Sequence, residues 1–210
     1  MDTKMKHEEI YRGELFKKFS QIKILICGAG TLGSNLTEAL VRNGFKQLTI
    51  LDKDRVEEHN LGNQCYGYPD LGAMKVSALS NRLYRDLKVT VKTIDKELNQ
   101  SNVKKFTKDT DLIVDCFDNF ESRSILKTHG INNQLSVIHL GLYENYGEII
   151  WNEKYTVPKN NEADICDYPL ARNISLLTVI VGVEEIIRYI QTGKRQNYAI
   201  TLKDMRISHF

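Results

Sequence analysis

Three glycines, Gly28, Gly30 and Gly33, stand at G-x-G-x-x-G spacing in the stretch KILICGAGTLGSNL. The first permits a tight turn, the second lets backbone approach a phosphate, and the third lets a helix pack closely on the preceding strand. The free N–H groups at the start of such a helix favour an anion. Asp52 ends the next apolar run, far enough along to accept hydrogen bonds from a ribose. Together these residues describe a nucleotide-binding turn. They do not separate ATP from NAD, and a glycine turn kept only for packing would look the same.

The elements that must position this turn follow from apolar periodicity. Strands are predicted at Lys23–Cys27, Gln47–Leu51, Val89–Ile94, Leu112–Cys116, Val137–Leu140 and Glu148–Trp151, and helices at Leu32–Asn43, Ala73–Arg85, Glu121–Asn132 and Asn173–Gln191. Gly44 ends the first helix in the C′ role. Strands alternating with helices predict an α/β fold, a Rossmann-like, doubly wound, mostly parallel sheet with helices on both faces. A terminal hairpin near Phe210 would add a C-terminal antiparallel extension. The 210 residues fit a single domain, 1–210, with a polar loop crossing its surface at about 152–170.

Composition narrows the function classes. A net charge of +2 gives no electrostatic footprint for nucleic acid. Leu176 to Val183, the longest apolar stretch, is cut off by Glu184 and Glu185. It is too short to span a bilayer and reads as buried helix. The N-terminal stretch MDTKMKHEEIYRG has no apolar signal segment. Cys27, Cys65, Cys116 and Cys166 form no C-x-x-C pair, so neither a disulfide framework nor zinc is expected. These features point to a reduced, cytoplasmic protein that takes neither nucleic acid nor membrane as partner.

Further along, LDKDRVEEHNLGNQCY resembles the D-x-D-x-V-x-x-x-N-L-x-R-Q motif of the ThiF/MoeB/HesA family, which shares its fold with the ubiquitin-activating enzymes. Asp52, Asp54, Val56, Asn60, Leu61 and Gln64 match it. Gly72 and Lys75 match the following G-x-x-K, and Asp115, Asp118, Asn119 and Arg123 match D-x-x-D-N-x-x-x-R. The resemblance implies an adenylyltransferase acting on the C-terminal carboxylate of a ubiquitin-like protein, a sulfur-carrier protein or a peptide, with ATP and Mg²⁺. It implies nucleotide contacts from Gly28, Gly30, Thr31, Gly33, Asp52, Asp54, Asn60, Asn63, Gln64, Lys75, Asp118 and Asn119. Asp52 would hold the ribose, Asn60 and Lys75 the triphosphate, and Asp118 the metal. The chemistry is coherent: a carboxylate attacking the α-phosphate brings two anions together, so cations and fixed donors must surround the phosphates.

Plainer roles stand beside these. A lysine opening a helix is commonly solvated surface, Asp118 and Asn119 would serve as helix caps, and Arg123 reads as an ion-pair or packing residue. The sequence also departs from the family pattern. Asn63 replaces the arginine of N-L-x-R-Q and offers a neutral donor instead of a cation. Thr31 stands where many members have another glycine, and still supplies its backbone N–H. Arg12 lies where members carry an arginine that reaches into a partner subunit's site. Cys166, in the crossing loop, occupies a region from which some members recruit a thiol to take the activated acyl group, although an ordinary cysteine accounts for it too. The resemblance implies a homodimer. The apolar helix around Leu176 and Ile187 would then lie at its interface, and plain core burial explains that helix equally well. A non-catalytic, nucleotide-binding subunit of a heterodimer is the second reading, favoured by Asn63. A nicotinamide-dependent dehydrogenase is the third, and it leaves Lys75 and Asp118 without a role.

Overall fold

The computed structural model describes residues 3–158 and 169–210. Two short helices open the chain, α1 (Lys6–Arg12) and α2 (Glu14–Phe19), broken apart by Gly13 at φ 56°. Apolar periodicity predicts no helix in this polar stretch. Few of their side chains are buried, but Phe19 is wholly buried and stacks on Phe45 with ring centroids 4.5 Å apart.

The α/β alternation then unfolds as expected, apart from the short α5, which the apolar periodicity does not predict: β1 (Lys23–Cys27), α3 (Thr31–Arg42), β2 (Gln47–Leu51), α4 (Lys75–Leu87), β3 (Lys92–Ile94), α5 (Val103–Phe106), β4 (Leu112–Asp115), α6 (Phe120–Asn132), β5 (Val137–Tyr143), β6 (Tyr146–Trp151), α7 (Arg172–Thr192), β7 (Tyr198–Thr201) and β8 (Arg206–His209). The strands form one sheet in the order β3-β2-β1-β4-β5-β6-β7-β8. The first five in that order are parallel, and β6, β7 and β8 add on antiparallel. The terminal hairpin is therefore present, joined to the main sheet through β6. β3 is shorter than the run Val89–Ile94, whereas β5 extends past Leu140 into a tight turn with β6.

The parallel strands are apolar at successive positions because both of their faces are covered. Ile24 and Ile26 of β1 point into a core shared with α3, α4 and α7; Leu25 and Cys27 point into a second core with α5 and α6. Gly44, at φ 99°, ends α3 as expected, and a side chain there would run into the ring of Phe16.

α7 lies against α3 and the sheet, and one charged residue on it is buried. Glu185 is 1% exposed, while Glu184 beside it faces outward. The Glu185 carboxylate accepts from Trp151 Nε1 (2.7 Å), the Gln196 N–H (2.8 Å) and the Arg188 guanidinium (2.6 and 2.8 Å). It thus ties α7 to β6 and to the start of β7. No helix among the described residues is long and apolar enough to cross a membrane. Replacing Glu185 by alanine would strand the buried indole N–H, and a loss of about 2 to 3 kcal/mol is expected, read from the urea unfolding midpoint.

Candidate nucleotide site at the carboxyl ends of the strands

The register sets the site. Cys27 pairs with Leu51 on one side and with Asp115 on the other, so three strands end at one level. The ladder continues past them: the Gly28 N–H donates to Leu51 O (2.7 Å), that of Cys116 to Cys27 O (2.8 Å), and that of Asp52 to Ile94 O (3.1 Å). The glycine turn, the Asp52 segment and the Cys116–Asn119 segment are thereby held side by side. In the order 3-2-1-4-5, successive strands are added in opposite directions on either side of the β1–β4 boundary, and open α/β sheets bind ligands outside the carboxyl ends at such a point.

The three glycines have different tasks. Gly28 sits at φ 97°, and a side chain there would meet Cys116 O at 2.8 Å; one on Gly33 would meet Gly28 O at 1.8 Å. Both are required by packing. Gly30 has ordinary φ, and among the described residues nothing lies within 4 Å of where its side chain would be. Packing does not require glycine there, whereas close approach by a ligand would. Gly30 caps α3 without a side-chain partner, and Thr31 begins the helix.

Asp52 is 8% exposed and accepts the N–H groups of Ala29 (Oδ2, 2.6 Å) and Asp54 (Oδ1, 2.7 Å). Burial pushes its carboxyl above the usual range, and the two N–H bonds pull partly back. The Tyr66 hydroxyl donates to Ala29 O (2.7 Å), so the residue between the first two glycines is gripped at both ends of its backbone. Asp54 is exposed. Its carbonyl accepts the Lys75 N–H (2.9 Å), and its carboxylate lies 3.4 Å from Lys75 Nζ. Lys75 opens α4 and is itself only 8% exposed, an ammonium brought under cover beside two carboxylates. Solvated surface does not describe it.

Asn60 is buried and closes a capping box with Glu57, its Oδ1 accepting the Glu57 N–H at 2.9 Å. Asn35 Nδ2 donates to the carbonyl of Asn63 (2.9 Å). Asn63 Oδ1 and Gln64 Oε1 are buried with no hydrogen-bond partner among the described residues. A half turn of either amide would offer an NH₂ group instead, so both can meet a ligand oxygen. Cys65 is buried against Asn35 and Glu38, and burial raises its thiol to about 12, which suits no nucleophile. Cys27 and Cys116 are core residues, with their thiols also pushed up by burial.

On the other side of β1, Asn119 caps α6 by accepting the Ser122 N–H (2.9 Å). Asp118 takes no part in the cap. It is exposed, and its carboxylate has no partner among the described residues. Arg123 is buried and donates to the carbonyls of Phe117 and Leu140 and to the Tyr155 hydroxyl. Burial opposes its charge, but Asp115 and Tyr155 hold its pKa above the usual value.

Arg12 is not brought to this crevice. It sits at the end of α1, its guanidinium engaged by Glu8 and by Glu184 of α7. Cys166 lies outside the described residues. Tyr66, His139 and Tyr155 escaped the sequence reading, since each acts through a partner more than ten residues away. A shallow cavity of about 310 Å³ near Ile22, Leu112 and Tyr189 lies at the opposite end of the strands, away from these groups.

Fold and crevice define the class, an α/β protein with a nucleotide-type glycine turn at the switch point of its sheet. More narrowly, the chain belongs to the ThiF family, which it matches over residues 2–201. It is 31% identical over 135 residues to the sulfur carrier protein ThiS adenylyltransferase of Bacillus subtilis (strain 168), covering 62% of this chain and 40% of that protein. It is 29% identical over 180 residues to ubiquitin-like modifier-activating enzyme 5 of Aedes aegypti, covering 78% and 45%. The match to tRNA threonylcarbamoyladenosine dehydratase 1 of Saccharomyces cerevisiae is 29% over 131 residues, covering 60% and 30%. The chain thus spans less than half the length of these three relatives. In fold it resembles E. coli MccB solved with ATP, with a TM-score of 0.77 at 16% identity, covering 93% of this chain and 65% of that one.

The different tasks of the glycines are separable. Gly33→Ala is expected to cost about 3 kcal/mol or more through overpacking. Gly30→Ala should stay within about 0.5 kcal/mol of the parent. Denaturant melts of the two variants check this.

Proposed function

We propose that this protein adenylates a carboxylate with ATP, the carboxylate belonging to the C-terminus of a ubiquitin-like protein, a sulfur-carrier protein or a peptide. One observation carries the reading: a covered ammonium, Lys75, and a carboxylate without a partner among the described residues, Asp118, belong to segments that both leave the carboxyl ends of the parallel strands. A nicotinamide site has no use for that pair. One relative is named an adenylyltransferase and another a modifier-activating enzyme, with different acceptors, while the third is named a dehydratase.

The residues suit ATP and Mg²⁺. Open space at Gly30 and the N–H groups at the start of α3 would receive phosphate, Asp52 would accept ribose hydroxyls with its free lone pairs, and Lys75 would balance phosphate charge. The unmatched amides of Asn63 and Gln64 would turn NH₂ groups toward phosphate oxygens, so Asn63 would provide a hydrogen bond where relatives have a cation. Asp118 would hold Mg²⁺, which needs few protein ligands when phosphate oxygens and water supply the rest, and the ion would neutralise charge on the phosphates. In the reaction a carboxylate oxygen of the acceptor bonds to the α-phosphorus and the bond to the bridging oxygen breaks. Acyl-adenylate and pyrophosphate leave. The work of the protein is orientation and charge neutralisation.

In this reading the enzyme works as a homodimer, and Arg12 would exchange Glu184 for the site of a second copy. Cys166 would be the thiol to test for acyl transfer. Asn63 also favours a second reading, a nucleotide-binding subunit that needs a catalytic partner.

Calorimetric titration with ATP and Mg²⁺ is expected to give binding that weakens at least tenfold in Asp118→Ala and in Lys75→Ala, with no heat from NAD or NADH. Binding of NAD would overturn the proposal. ATP binding without ATP–pyrophosphate exchange, when C-terminal tails of carrier proteins are supplied, would favour the second reading.

A further inference from the structure

The segment that carries Asp118 is held more firmly than a cap requires. Phe117, just before it, is fixed at both ends of its backbone: its N–H donates to Asp115 Oδ1 (3.0 Å), and its carbonyl accepts Arg123 Nε. Each of these grips is itself gripped. Asp115 Oδ2 meets His139 Nδ1 at 2.7 Å, and His139 Nε2 meets Asn152 Oδ1 at 2.7 Å. Arg123 is bonded by the Tyr155 hydroxyl, and the Tyr155 ring lies flat on His139 with centroids 3.7 Å apart and planes 13° apart. Tyr155 therefore touches both chains of support at once and is 2% exposed.

This arrangement joins two distant parts of the sequence. Tyr155 follows β6, and its N–H closes a turn onto Trp151 O (3.1 Å), at the start of the crossing segment. Arg123 lies on the first turns of α6. A buried guanidinium, carboxylate, imidazole and phenol gathered around one loop residue are expensive to desolvate. An apolar cluster of the same shape would stabilise the fold at least as well. What polar groups add is a fixed geometry for the backbone they hold.

We infer that Tyr155 is a positioning residue for Asp118: its hydroxyl orients Arg123, and Arg123 sets the Phe117 carbonyl and hence the direction in which the next side chain leaves the loop. Asp118 forms no bond of its own among the described residues, so its direction comes from the backbone alone. The inference rests on the proposed function, because it supplies the reason why Asp118 must be aimed.

Tyr155→Phe keeps the ring on His139 and removes only the hydroxyl. ATP affinity should then fall roughly tenfold in Mg²⁺, about the worth of one hydrogen bond to a charged group. It should be unchanged in EDTA, with a melting temperature lowered by a few degrees, since the variant leaves one buried N–H of Arg123 without its acceptor. Adding Tyr155→Phe to Asp118→Ala should bring no further loss, since the two act through one contact. Without nucleotide, amide exchange across residues 116–119 should quicken. Equal losses with and without Mg²⁺, additive losses, or unchanged exchange would each overturn the positioning role. If the parent protein binds no Mg²⁺–ATP, the adenylation reading fails and takes the role of Tyr155 with it. If the parent binds and Tyr155→Phe behaves identically, only the inference about Tyr155 fails.

Discussion

A single close contact between two backbones governs the site. A side chain on Gly33 would lie 1.8 Å from the carbonyl oxygen of Gly28, so the first turn of α3 rests directly on the end of β1. That contact directs the start of the helix at the crevice and brings Ala29 to where Asp52 and Tyr66 can hold it. If α3 stood further off, the Ala29 N–H would leave Asp52, and a buried carboxylate would lose one of the two donors that make its burial tolerable. Packing and polar satisfaction depend here on the same missing atom.

Around that contact the crevice has two unlike walls. On the β2 side, Lys75 lies beside two carboxylates, Asp52 and Asp54, with Lys75 covered and Asp54 open to solvent. On the β4 side Asp115 and Arg123 are buried behind the loop and Asp118 is exposed. The buried side is built from hydrogen bonds between side chain and backbone, so it fixes directions rather than adding much net stability. Apolar strand faces provide that stability: the two cores on either side of the sheet are filled by alternate residues of the same strands.

Much of this was legible in the sequence, for a physical reason. The glycine turn, the segment after β2 and the start of α6 are local signals, readable from spacing because each acts on neighbours in the chain. The order of strands and helices was equally local. Other features depend on partners far away. Nothing near Tyr155 announces Arg123, nothing near His139 announces Asp115, and Arg12 meets Glu184 across 172 positions. The N-terminal helices were hidden by their own polarity, since they bury little and carry no stripe that would reveal a period. Gly30 and Gly33 look alike in a motif, and only the space around each shows that packing requires one and not the other.

The ladder bonds that run past the strand ends have a thermodynamic consequence. Because Gly28 and Cys116 continue the sheet's own hydrogen bonding, the turn beyond β1 and the loop beyond β4 are extensions of the core rather than loops tethered to it. A ligand entering such a crevice meets donors already in their final places, and little chain entropy is surrendered by the protein on binding. The ordering cost then falls mainly on the incoming molecule. On the proposed reading, a short extended tail with few rotatable groups would be favoured over a long flexible one, and selection among ligands would begin with their stiffness before any side chain is read.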